Sequence, residues 1–450
     1  MPTLLDTIAQ ALGLDCAPIR WQGIGALPST FAVTELAGAS IAACGLALAH
    51  LLESQQHSCP LVSVDRRLAS FWFATSLRPH GWQTPPLWDA IAGDYRTRDG
   101  WIRLHTNAPH HRDAALQVLG SPADRASVAS RVANWDGETL EAAVVKAGGC
   151  AAQMRAWLDW CLHPQGRAVN HEPLILRERY PGQPGRWLGN ASRPLAGVKV
   201  LDLTRILAGP IATRLLASFG AEVLRIDPPG WDEPAVAPEV TLGKRCARLD
   251  LRTREDHQRF EALLADADIL VHGYRADALE RLDLGTERRR QLNPGLIDVS
   301  LNAYGWSGPW QHRRGFDSLV QMSTGIAREG MRWQQAERPV PLPVQALDHA
   351  TGYLMAAEAI RALAARLRNG EGCDSRLSLA RTAKLLVEHG TVEEDLPLAA
   401  ESLDDLAQPI EHTPWGEAQR LKAPLRVGET LMGWGSGAAQ LGSVPARWLP

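Results

Sequence analysis

The stretch VKVLDLTRILAGPIATRLLASFGAEVLRID, Val198 to Asp227, decides the fold of this chain. Its opening residues VKVLDL and its closing residues AEVLRID are short, mostly apolar runs, which are typical of buried strands. Between them, Ala208-Gly209-Pro210 turns the chain into IATRLLASFG, whose apolar spacing predicts a helix. A strand, a helix and a second strand in this order predict a βαβ unit with parallel strands.

The same alternation continues along the second half of the chain. The pattern predicts a helix at Thr253 to Ala267 capped by Thr253, a strand at Asp268 to Gly273, a helix from Asp277 and a strand at Leu296 to Gly305. Alternating strands and helices favour a parallel sheet that is covered on both faces. We therefore expect an α/β fold with a Rossmann-like, mostly parallel sheet domain and helices on both faces.

The first half is less regular and predicts a smaller α+β domain. ELAGASIAACGLALAHLL predicts a packed helix, PLVSVD a strand and DYRTRDGWIRLH two strands around Asp99-Gly100, with helices at Arg112 to Leu119 and around Thr139 to Lys146. The Pro- and Gly-rich stretch from Tyr180 to Pro194 has the composition of an exposed linker. We expect two units, residues 1–190 with the small α+β domain and residues 194–450 with the Rossmann-like sheet.

A weak internal repeat connects the halves. GASIAACGLALAHLL followed by CPLVSVDRRLASF aligns with HATGYLMAAEAIRAL followed by CDSRLSLARTAKL, if a gap of about three residues separates the matched blocks. In this register Asp348 of the second copy corresponds to Ala37 of the first. The pattern indicates either a duplication or a coincidence between two Ala-rich helices that each lead to a strand.

Composition excludes several classes of function. The chain is 45% hydrophobic and 22% charged with a formal net charge of −3, so it offers no basic face for nucleic acid. The seven cysteines form no C-x-x-C pair, which fits a reducing, cytoplasmic compartment better than a disulfide framework or a zinc site. The apolar stretch Leu36 to Ala49 is shorter than a bilayer requires and predicts a buried helix, so we expect no membrane partner. The first residues contain Asp6 and no basic region, which predicts a short amphipathic helix instead of a signal peptide.

Asp348 is the candidate for chemistry, in PVPLPVQALDHATGYLMAAEAI, where a proline-rich extended stretch meets a long apolar helix. On pattern alone an N-cap role is favoured, because aspartate is a preferred capping residue. The positive end of a helix would also stabilise an ionised carboxylate, which is the form that a nucleophile must take. Both interpretations stay open at this point.

Other motifs match parts of a dinucleotide-binding site or a metal site, but each lacks residues that such a site requires. Asp227 ends the second strand where a ribose-binding carboxylate would lie, but the preceding turn has one glycine where a dinucleotide fingerprint needs three. The helix start could still bind phosphates of another ligand. His110-His111 and His349 lack a third ligand at a useful spacing, so no metal is expected, and no G-x-S-x-G motif indicates a serine hydrolase.

A series of segments resembles the family III CoA-transferases, the CaiB/BaiF group that includes formyl-CoA and carnitine CoA-transferases. The resemblance begins at RPLAGVKVLDLTRILAGPIATRLLASFGAEVLRIDPPG and continues through GKRCARLDL, ADILVHGYRADALERLDL, LNPGLIDVSLNAYGWSGP and GFDSLVQMSTG. It then reaches PVQALDHATGYLMAA, which is similar to the segment that holds the family's catalytic aspartate. The ordered series covers Pro194 to about Leu386.

The resemblance implies that Asp348 is a nucleophile that accepts an acyl group and then CoA, through an aspartyl anhydride and an aspartyl-CoA thioester. The substrates would be an acyl-CoA and a carboxylic acid acceptor, with coenzyme A as substrate and no tightly bound cofactor, and the chain would form a homodimer. The residues implied in CoA binding are Arg205, Ile206, Ala208, Lys244, Arg245, Gly273, Tyr274, Ala278, Arg281 and Asn302.

Three departures from the family pattern qualify these expectations. Segments that resemble the family's small domain, DYRTRDGWIRL and LHPQGRAV, come first, so the domain order is rearranged and the first half could complete the site in cis or in trans. Phe316 stands where racemases of the group carry histidine, which disfavours α-proton exchange. Ala327 to Pro343 contains only Gly330, so a glycine-rich loop is not obvious. The alternatives are an isomerase that transfers CoA within one molecule and a CoA-binding protein whose chemistry has decayed.

Overall fold

A computed structural model describes residues 2–15, 18–56, 59–182, 184–274, 277–391 and 396–449. The helices are α1 (Leu4–Leu12), α2 (Val33–Gln56), α3 (Arg66–Trp72), α4 (Pro109–Leu119), α5 (Arg125–Val132), α6 (Gly137–Lys146), α7 (Trp157–Leu162), α8 (Pro164–His171), α9 (Ala208–Ser218), α10 (Ala237–Val240), α11 (Arg254–Ala265), α12 (Thr286–Leu292), α13 (Asp317–Ser323), α14 (Ile326–Trp333), α15 (Ala346–Asn369) and α16 (Leu379–His389). Short 3₁₀ turns lie at Glu280–Leu282 and Leu403–Asp405.

The strands are β1 (Ile19–Gln22), β2 (Val62–Asp65), β3 (Leu77–Pro79), β4 (Gly93–Arg96), β5 (Trp101–Leu104), β6 (Ala151–Gln153), β7 (Leu176–Pro181), β8 (Lys199–Leu203), β9 (Glu222–Asp227), β10 (Arg245–Arg248), β11 (Ile269–His272), β12 (Ile297–Asn302), β13 (Glu371–Ser378), β14 (Leu406–Thr413), β15 (Gly416–Leu421), β16 (Leu425–Val427) and β17 (Thr430–Leu431).

A seven-stranded sheet of order β10-β9-β8-β11-β12-β13-β7 carries the second half. All neighbouring pairs are parallel except β13 and β7 at one edge. The strands β8, β9, β11 and β12 are buried over most of their length, as expected where helices cover both faces. The predicted α/β class with a mostly parallel sheet is therefore confirmed.

Local sequence explains most of these elements. The predicted cap of α11 is present, since Thr253 Oγ1 accepts a hydrogen bond from the N–H of Asp256 at 3.4 Å. The helix predicted from Asp277 is wrong: residues 280–282 form a single 3₁₀ turn, which Asp283 ends with a left-handed φ of 55°. Regular helix resumes only at α12, because a left-handed residue cannot continue a right-handed helix.

The small α+β unit of the first half is built on β4, β5 and β6. The predicted hairpin around Asp99-Gly100 is present, with Tyr95 opposite Ile102 in an antiparallel register. Helices α4, α5 and α6 cover this sheet, and together they enclose a separate apolar core that includes Leu140 and Val144. The predicted helices of this unit are confirmed, although α4 begins at Pro109 and α6 at Gly137.

Several elements of the first half pair with elements much later in the chain. β2 pairs with β16, β3 pairs with β15, and β7 adds to the edge of the main sheet. Helix α2 packs along α15, where Cys44 Sγ donates to the Tyr353 carbonyl at 3.0 Å. The division at residue 190 stays a prediction, but both sides of it share these sheets and helix contacts.

Helix α2 is longer than the sequence indicated. Val33–Gln55 is long and apolar enough to cross a bilayer, yet 89% of its most apolar window is buried against the rest of the protein. Its residues belong to the same apolar core as α15. The expected buried helix is therefore present in the core.

Of the seven cysteines, Cys16 lies outside the described residues. The other six are free thiols: Cys44, Cys59, Cys150, Cys161, Cys246 and Cys373.

Candidate active site

A cavity of about 380 Å³ opens at the carboxyl ends of β8, β11 and β12. In an open parallel sheet, ligands collect at this edge, because the loops that follow the strands converge there. The wall is formed by His110, His111, Leu203 to Gly209, Trp231, Gly273, Tyr274, Ala278, Leu301 to Ala303, Gln311 to Phe316, Asp348 and Leu379. The cavity therefore combines loops of the main sheet with residues of the small unit.

The turn after β8 places a cation at one side of the cavity. The Arg205 guanidinium lies 4.5 Å from the Trp231 ring and 5.2 Å from the Tyr274 ring, and it donates to the Tyr274 hydroxyl at 3.1 Å. Its buried Nε has no hydrogen-bond partner among the described residues. Ile206, with a strained φ of 67°, is fixed by a hydrogen bond from its N–H to Glu233 Oε2 at 2.9 Å. Arg205 is thus held in place with donor capacity left for an anion.

Glycine is required at two places near this turn. A Cβ on Gly209 would lie 2.3 Å from Thr204 Cγ2, so only glycine permits the tight passage from β8 into α9. A Cβ on Gly352 of α15 would lie 2.3 Å from the Ala208 carbonyl oxygen. These close approaches bring the start of α9 against α15, which carries Asp348.

Asp348 is the third residue of α15 and lines the cavity with 8% of its surface exposed. The N-cap interpretation of Asp348 is wrong, because Gln345 occupies that position. The helix start is instead bonded by Asp317 of α13. Its Oδ2 accepts from the N–H of Leu347 at 2.8 Å and from that of Asp348 at 3.0 Å. The Asp348 carboxyl group is therefore not used for capping and faces the cavity.

Two neighbouring buried carboxyl groups set the electrostatics of the site. Burial raises the pKa of Asp348 well above its usual range, and the nearby charge of Asp317 raises it further. Burial also raises the pKa of Asp317 to about 6, although its hydrogen bonds from Asp348, Gln321 and Leu347 oppose the shift. Asp317 takes the N–H groups of Leu347 and Asp348, so these two donors are not available to an ionised Asp348.

The cavity brings together most of the residues that the sequence predicted. Arg205, Ile206, Ala208, Gly273, Tyr274, Ala278 and Asn302 all line it with Asp348. The Asn302 amide donates to the Gly305 carbonyl at 2.6 Å and accepts from the Gly305 N–H at 2.8 Å, which shapes the loop after β12. Their contact with CoA stays a prediction.

Three predicted cations lie outside the cavity wall. Lys244 is buried, and its ammonium donates to Asp202 Oδ2 and to the Pro210 carbonyl, both at 2.9 Å. Arg245 pairs with Glu222 at 3.0 Å, and Arg281 is exposed and pairs with Asp277. A cation that follows a strand can turn inward or outward, and the sequence did not reveal that Lys244 neutralises Asp202. As placed here, Lys244 cannot reach a ligand in the cavity.

The sequence analysis missed the contributions of Asp317, Trp231 and His111. Trp231 follows β9 and faces Arg205, whereas His111 comes from α4 of the small unit. No local pattern indicates a contact between residues so distant in sequence.

The segment from Ala327 to Pro343, in which no glycine-rich loop was obvious, is partly helical, as α14, and Gly330 packs tightly there against Val340. Within the described residues, no group of three or more His, Cys, Asp or Glu is arranged for a metal ion.

Comparison with known proteins supports the family resemblance. Residues 195–403 match the family model of CoA-transferase family III. The acetyl-coenzyme A transferase nodX of Hypoxylon pulicicidum is 30% identical over 307 residues, which are 62% of this chain and 51% of nodX. The probable fatty acyl-CoA transferase Rv3272 of Mycobacterium tuberculosis is 34% identical over 195 residues, which are 40% of this chain and 49% of that protein.

Among solved structures, a CAIB/BAIF family protein from Brucella suis is 25% identical with a TM-score of 0.39, over 50% of this chain and 65% of that one. The chain spans about half the length of the curated relatives that it matches. The match over residues 195–403 is continuous and includes the β8–α9 turn, the loop after β12 and the start of α15. Through this segment the chain is similar to the family III CoA-transferases.

Proposed function

We propose that the protein transfers CoA between an acyl-CoA thioester and a carboxylic acid, with Asp348 as the nucleophile. One observation carries the proposal: the Asp348 carboxyl group lines the same cavity as the Arg205 turn, at the carboxyl edge of a parallel sheet. An anion-binding turn next to a cavity-facing carboxylate suits a substrate that joins phosphates to a reactive carbonyl. The family of residues 195–403 and the names of the relatives support the same reaction class.

The proposed mechanism consists of two exchanges at the Asp348 carboxyl group. An ionised Asp348 oxygen attacks the thioester carbonyl, the C–S bond breaks, and CoA leaves as a thiolate, which gives a mixed anhydride. The thiolate then attacks the Asp348 acyl carbon and releases the first acid as a carboxylate. The acceptor carboxylate attacks the carbonyl of the resulting aspartyl-CoA thioester, the C–S bond breaks, and a second mixed anhydride forms. The released thiolate then attacks the acceptor's acyl carbon in this anhydride, which gives the new acyl-CoA and restores the Asp348 carboxylate. Covalent catalysis thus replaces one difficult displacement by several easier ones.

The surroundings of Asp348 match these demands in part. Burial removes water from the carboxylate and from a bound anhydride, which protects the intermediate from hydrolysis. The raised pKa of Asp348 means that the active, ionised form becomes abundant only as the pH rises. Arg205, held between two aromatic rings, would bind a CoA phosphate. Although this contact is remote from the thioester, it would help to position the reacting carbonyl. Cytoplasmic location and homodimer formation remain part of this proposal.

Replacing Asp348 tests the mechanism directly. We expect Asp348→Asn to bind CoA with unchanged affinity and to lose at least about a thousandfold of the exchange of isotopic label between an acyl-CoA and its free acid. Asp266→Asn is the matched control, because Asp266 forms an exposed ion pair with Lys199 outside the cavity. Hydroxylamine after incubation with acyl-CoA should modify Asp348 in the wild type only.

The outcomes separate the alternatives. Exchange that persists in Asp348→Asn contradicts the proposal. CoA binding by the wild type without exchange and without a trapped adduct identifies a decayed CoA-binding protein. Exchange confined to the two ends of one dicarboxylic mono-CoA ester identifies the isomerase.

A further inference from the structure

Gln321 of α13 is a buried residue whose side-chain amide has a partner at each end. It lies one helical turn after Asp317 on the same face of α13, and the two residues are 2% and 1% exposed. Its Nε2 donates to Asp317 Oδ1 at 2.5 Å, and its Oε1 accepts from the N–H of Leu342 at 2.8 Å. The amide therefore joins the Asp317 carboxylate to the segment that leads into α15.

These partners fix the direction in which the amide faces. If it were flipped, its oxygen would face the Asp317 carboxylate and its NH₂ group would face the Leu342 N–H, so acceptor would meet acceptor and donor would meet donor. Asp317 Oδ1 therefore faces a donor, while Oδ2 accepts from the N–H groups of Leu347 and Asp348 at 2.8 and 3.0 Å. Three donors held in place favour the ionised form of Asp317.

Gln321 and Asp317 together hold the chain on both sides of the start of α15. Gln321 accepts from Leu342, four residues before the helix begins, and Asp317 accepts from its second and third residues, Leu347 and Asp348. All of these hydrogen bonds are buried. The Asp348 side chain lines the cavity, whereas Gln321 does not.

Building on the function proposed above, we propose that Gln321 is a positioning residue for Asp348, which acts through Asp317 and Leu342 and touches no substrate. Its amide orients the Asp317 carboxylate towards the start of α15 and ties it to the segment that enters this helix. Without the Nε2 donor, Asp317 can rotate, and the Asp348 carboxyl group loses its fixed direction in the cavity. Because the attacking oxygen must be aligned with the thioester carbonyl, this loss lowers the rate of attack more than the binding of CoA.

Gln321 also influences the ionisation of Asp317. Burial raises the pKa of Asp317 to about 6, and the bonds from the Asp348 N–H, from Gln321 and from the Leu347 N–H oppose this shift, as does the charge of Arg103 of β5. The other charged group of this environment is Asp348, whose own pKa is raised by burial and by the charge of Asp317. Loss of the Nε2 donor should therefore raise the pKa of Asp317.

Gln321→Glu tests the positioning role through its pH dependence. A protonated glutamic acid has nearly the same shape as glutamine and can make both bonds, whereas its ionised form has no donor and places a second negative charge against Asp317. We expect kcat for label exchange, relative to the wild type, to be near one at about pH 6 and to fall at least about tenfold by about pH 9, with the KM for acyl-CoA unchanged. Gln321→Met, which fills the same space without a donor, should show the loss of kcat at both pH values.

Carbon-13 NMR of protein labelled at the aspartate carboxyl carbons tests the inference without turnover. The Asp317 signal, assigned by its absence in Asp317→Asn, should titrate about one pH unit higher in Gln321→Met than in the wild type, because the ionised form has lost a donor. Gln165→Met is the matched control, since Gln165 is fully buried and its amide donates to the Tyr304 and Ser307 carbonyls, both at 2.8 Å. It should lower the unfolding temperature and leave the titration of Asp317 unchanged.

Each outcome of these measurements decides one question. A kcat ratio for Gln321→Glu that does not depend on pH overturns the inference, and so does an Asp317 signal that titrates alike in the wild type and in Gln321→Met. A lower unfolding temperature with unchanged kcat in both variants also overturns it, since the amide would then only support the fold. Absence of label exchange in the wild type removes the proposed function instead, and the NMR titration alone then decides whether Gln321 controls Asp317.

Discussion

At the scale of single residues, the Asp317–Asp348 pair sets the ionisation of the proposed nucleophile. Asp317 has two opposing effects: its Oδ2 organises the start of α15, while its charge makes ionisation of Asp348 harder. Two buried carboxyl groups that influence each other titrate as a pair, so we expect the acid limb of the proposed activity to report on both. A desolvated carboxylate with a raised pKa is reactive once it is ionised, which suits Asp348 to the proposed role.

Asp317→Asn separates the two effects. The amide oxygen can still accept from the helix start, but the negative charge is gone, so the pKa of Asp348 should fall while burial keeps it above its usual range. We expect the acid limb of the kcat/KM profile to move to lower pH. The free energy of unfolding should change as well. Because the pKa of Asp317 is raised to about 6, its ionisation destabilises the folded wild type as the pH rises from about 4 to 6. Asp317→Asn cannot ionise, so its stability should not fall for this reason.

Ser318→Ala is the control for that experiment, because Ser318 is the buried neighbour of Asp317 and its hydroxyl has no partner among the described residues. It should leave the acid limb unchanged. An acid limb that does not move in Asp317→Asn would show that Asp317 does not influence the ionisation of the nucleophile.

How well single residues could be predicted depended on the kind of signal that each one carries. Asp348 was accessible because an ordered series of motifs identified its segment. Lys244 was misplaced because a motif gives the residue type and not the direction of the side chain. His111 and Asp317 lie in segments that the sequence singled out, but their contacts with the site were not predicted, since those contacts join residues far apart in sequence.

At the scale of elements, β7 was not predicted, and its last two residues fall in the stretch that was interpreted as a linker. LRERYP is exposed at most positions and lies at the edge of the sheet, antiparallel to its neighbour, so it lacks the apolar run of a central strand. Its tie to the core is a side-chain contact that no pattern reveals: Arg177 makes two hydrogen bonds to the fully buried Glu358 of α15, at 2.8 and 2.6 Å. The strands β8, β9, β11 and β12, which are buried, were all predicted.

Arg177 and Arg179 provide a matched test of that tie, since they lie two residues apart on the same strand. Arg177→Gln leaves part of a buried carboxylate unpaired and should lower the free energy of unfolding by about 3 kcal/mol. Arg179 forms an exposed pair with Glu371 at 3.9 Å, so Arg179→Gln should lower the free energy of unfolding by less than about 1 kcal/mol. Urea unfolding monitored by circular dichroism measures both. Equal effects would show that the buried pair does not anchor β7.

At the scale of the whole molecule, both sides of the predicted division at residue 190 contribute to shared sheets and helix contacts. Helix α2 packs on α15, and β2 and β3 pair with strands near the C-terminus. The segments α2–β2–α3 and α15–β13–α16 repeat the same succession of elements, as the internal repeat predicted, and β1 is parallel to β2 as β12 is to β13. Sequence patterns identified the units, but pairing between distant strands depends on the tertiary fold and left no local trace.

His110 and His111 also come from the small unit, so one chain supplies both walls of the cavity. Completion of the site in cis stays a prediction, which the contribution of both walls by one chain supports.

A buried hub around Glu239 joins the distant parts. Its carboxylate accepts from the Ser76 N–H at 3.1 Å and from the Ser76 hydroxyl at 2.8 Å, and it pairs with Arg214 of α9 and with Arg420 of β15, the latter at 3.0 Å. Although burial opposes ionisation, these two guanidinium groups and the Ser76 bonds lower the pKa of Glu239 to about 2. The Glu239 carboxylate therefore binds residues from the first half of the chain, from helix α9 and from strand β15.

Replacing Glu239 should consequently weaken the whole molecule and not one unit. We expect Glu239→Gln to lower the free energy of unfolding at pH 7 by about 3–5 kcal/mol, because the buried Arg214 loses its carboxylate partner and Arg420 loses one of its two. Glu401→Gln, which breaks the more exposed pair with Arg78, should lower it by less than about 1 kcal/mol. Because the pKa of Glu239 is lowered in the folded state, its contribution is complete above about pH 4.5 and is lost as the pH falls towards 2, so the difference in stability between wild type and variant should shrink there.

In calorimetry both proteins should unfold in a single transition, since the contacts of Glu239 and the shared sheets couple residues 1–190 to the rest. Two separate transitions in the wild type, with only one of them moved in Glu239→Gln, would instead support independent units divided near residue 190.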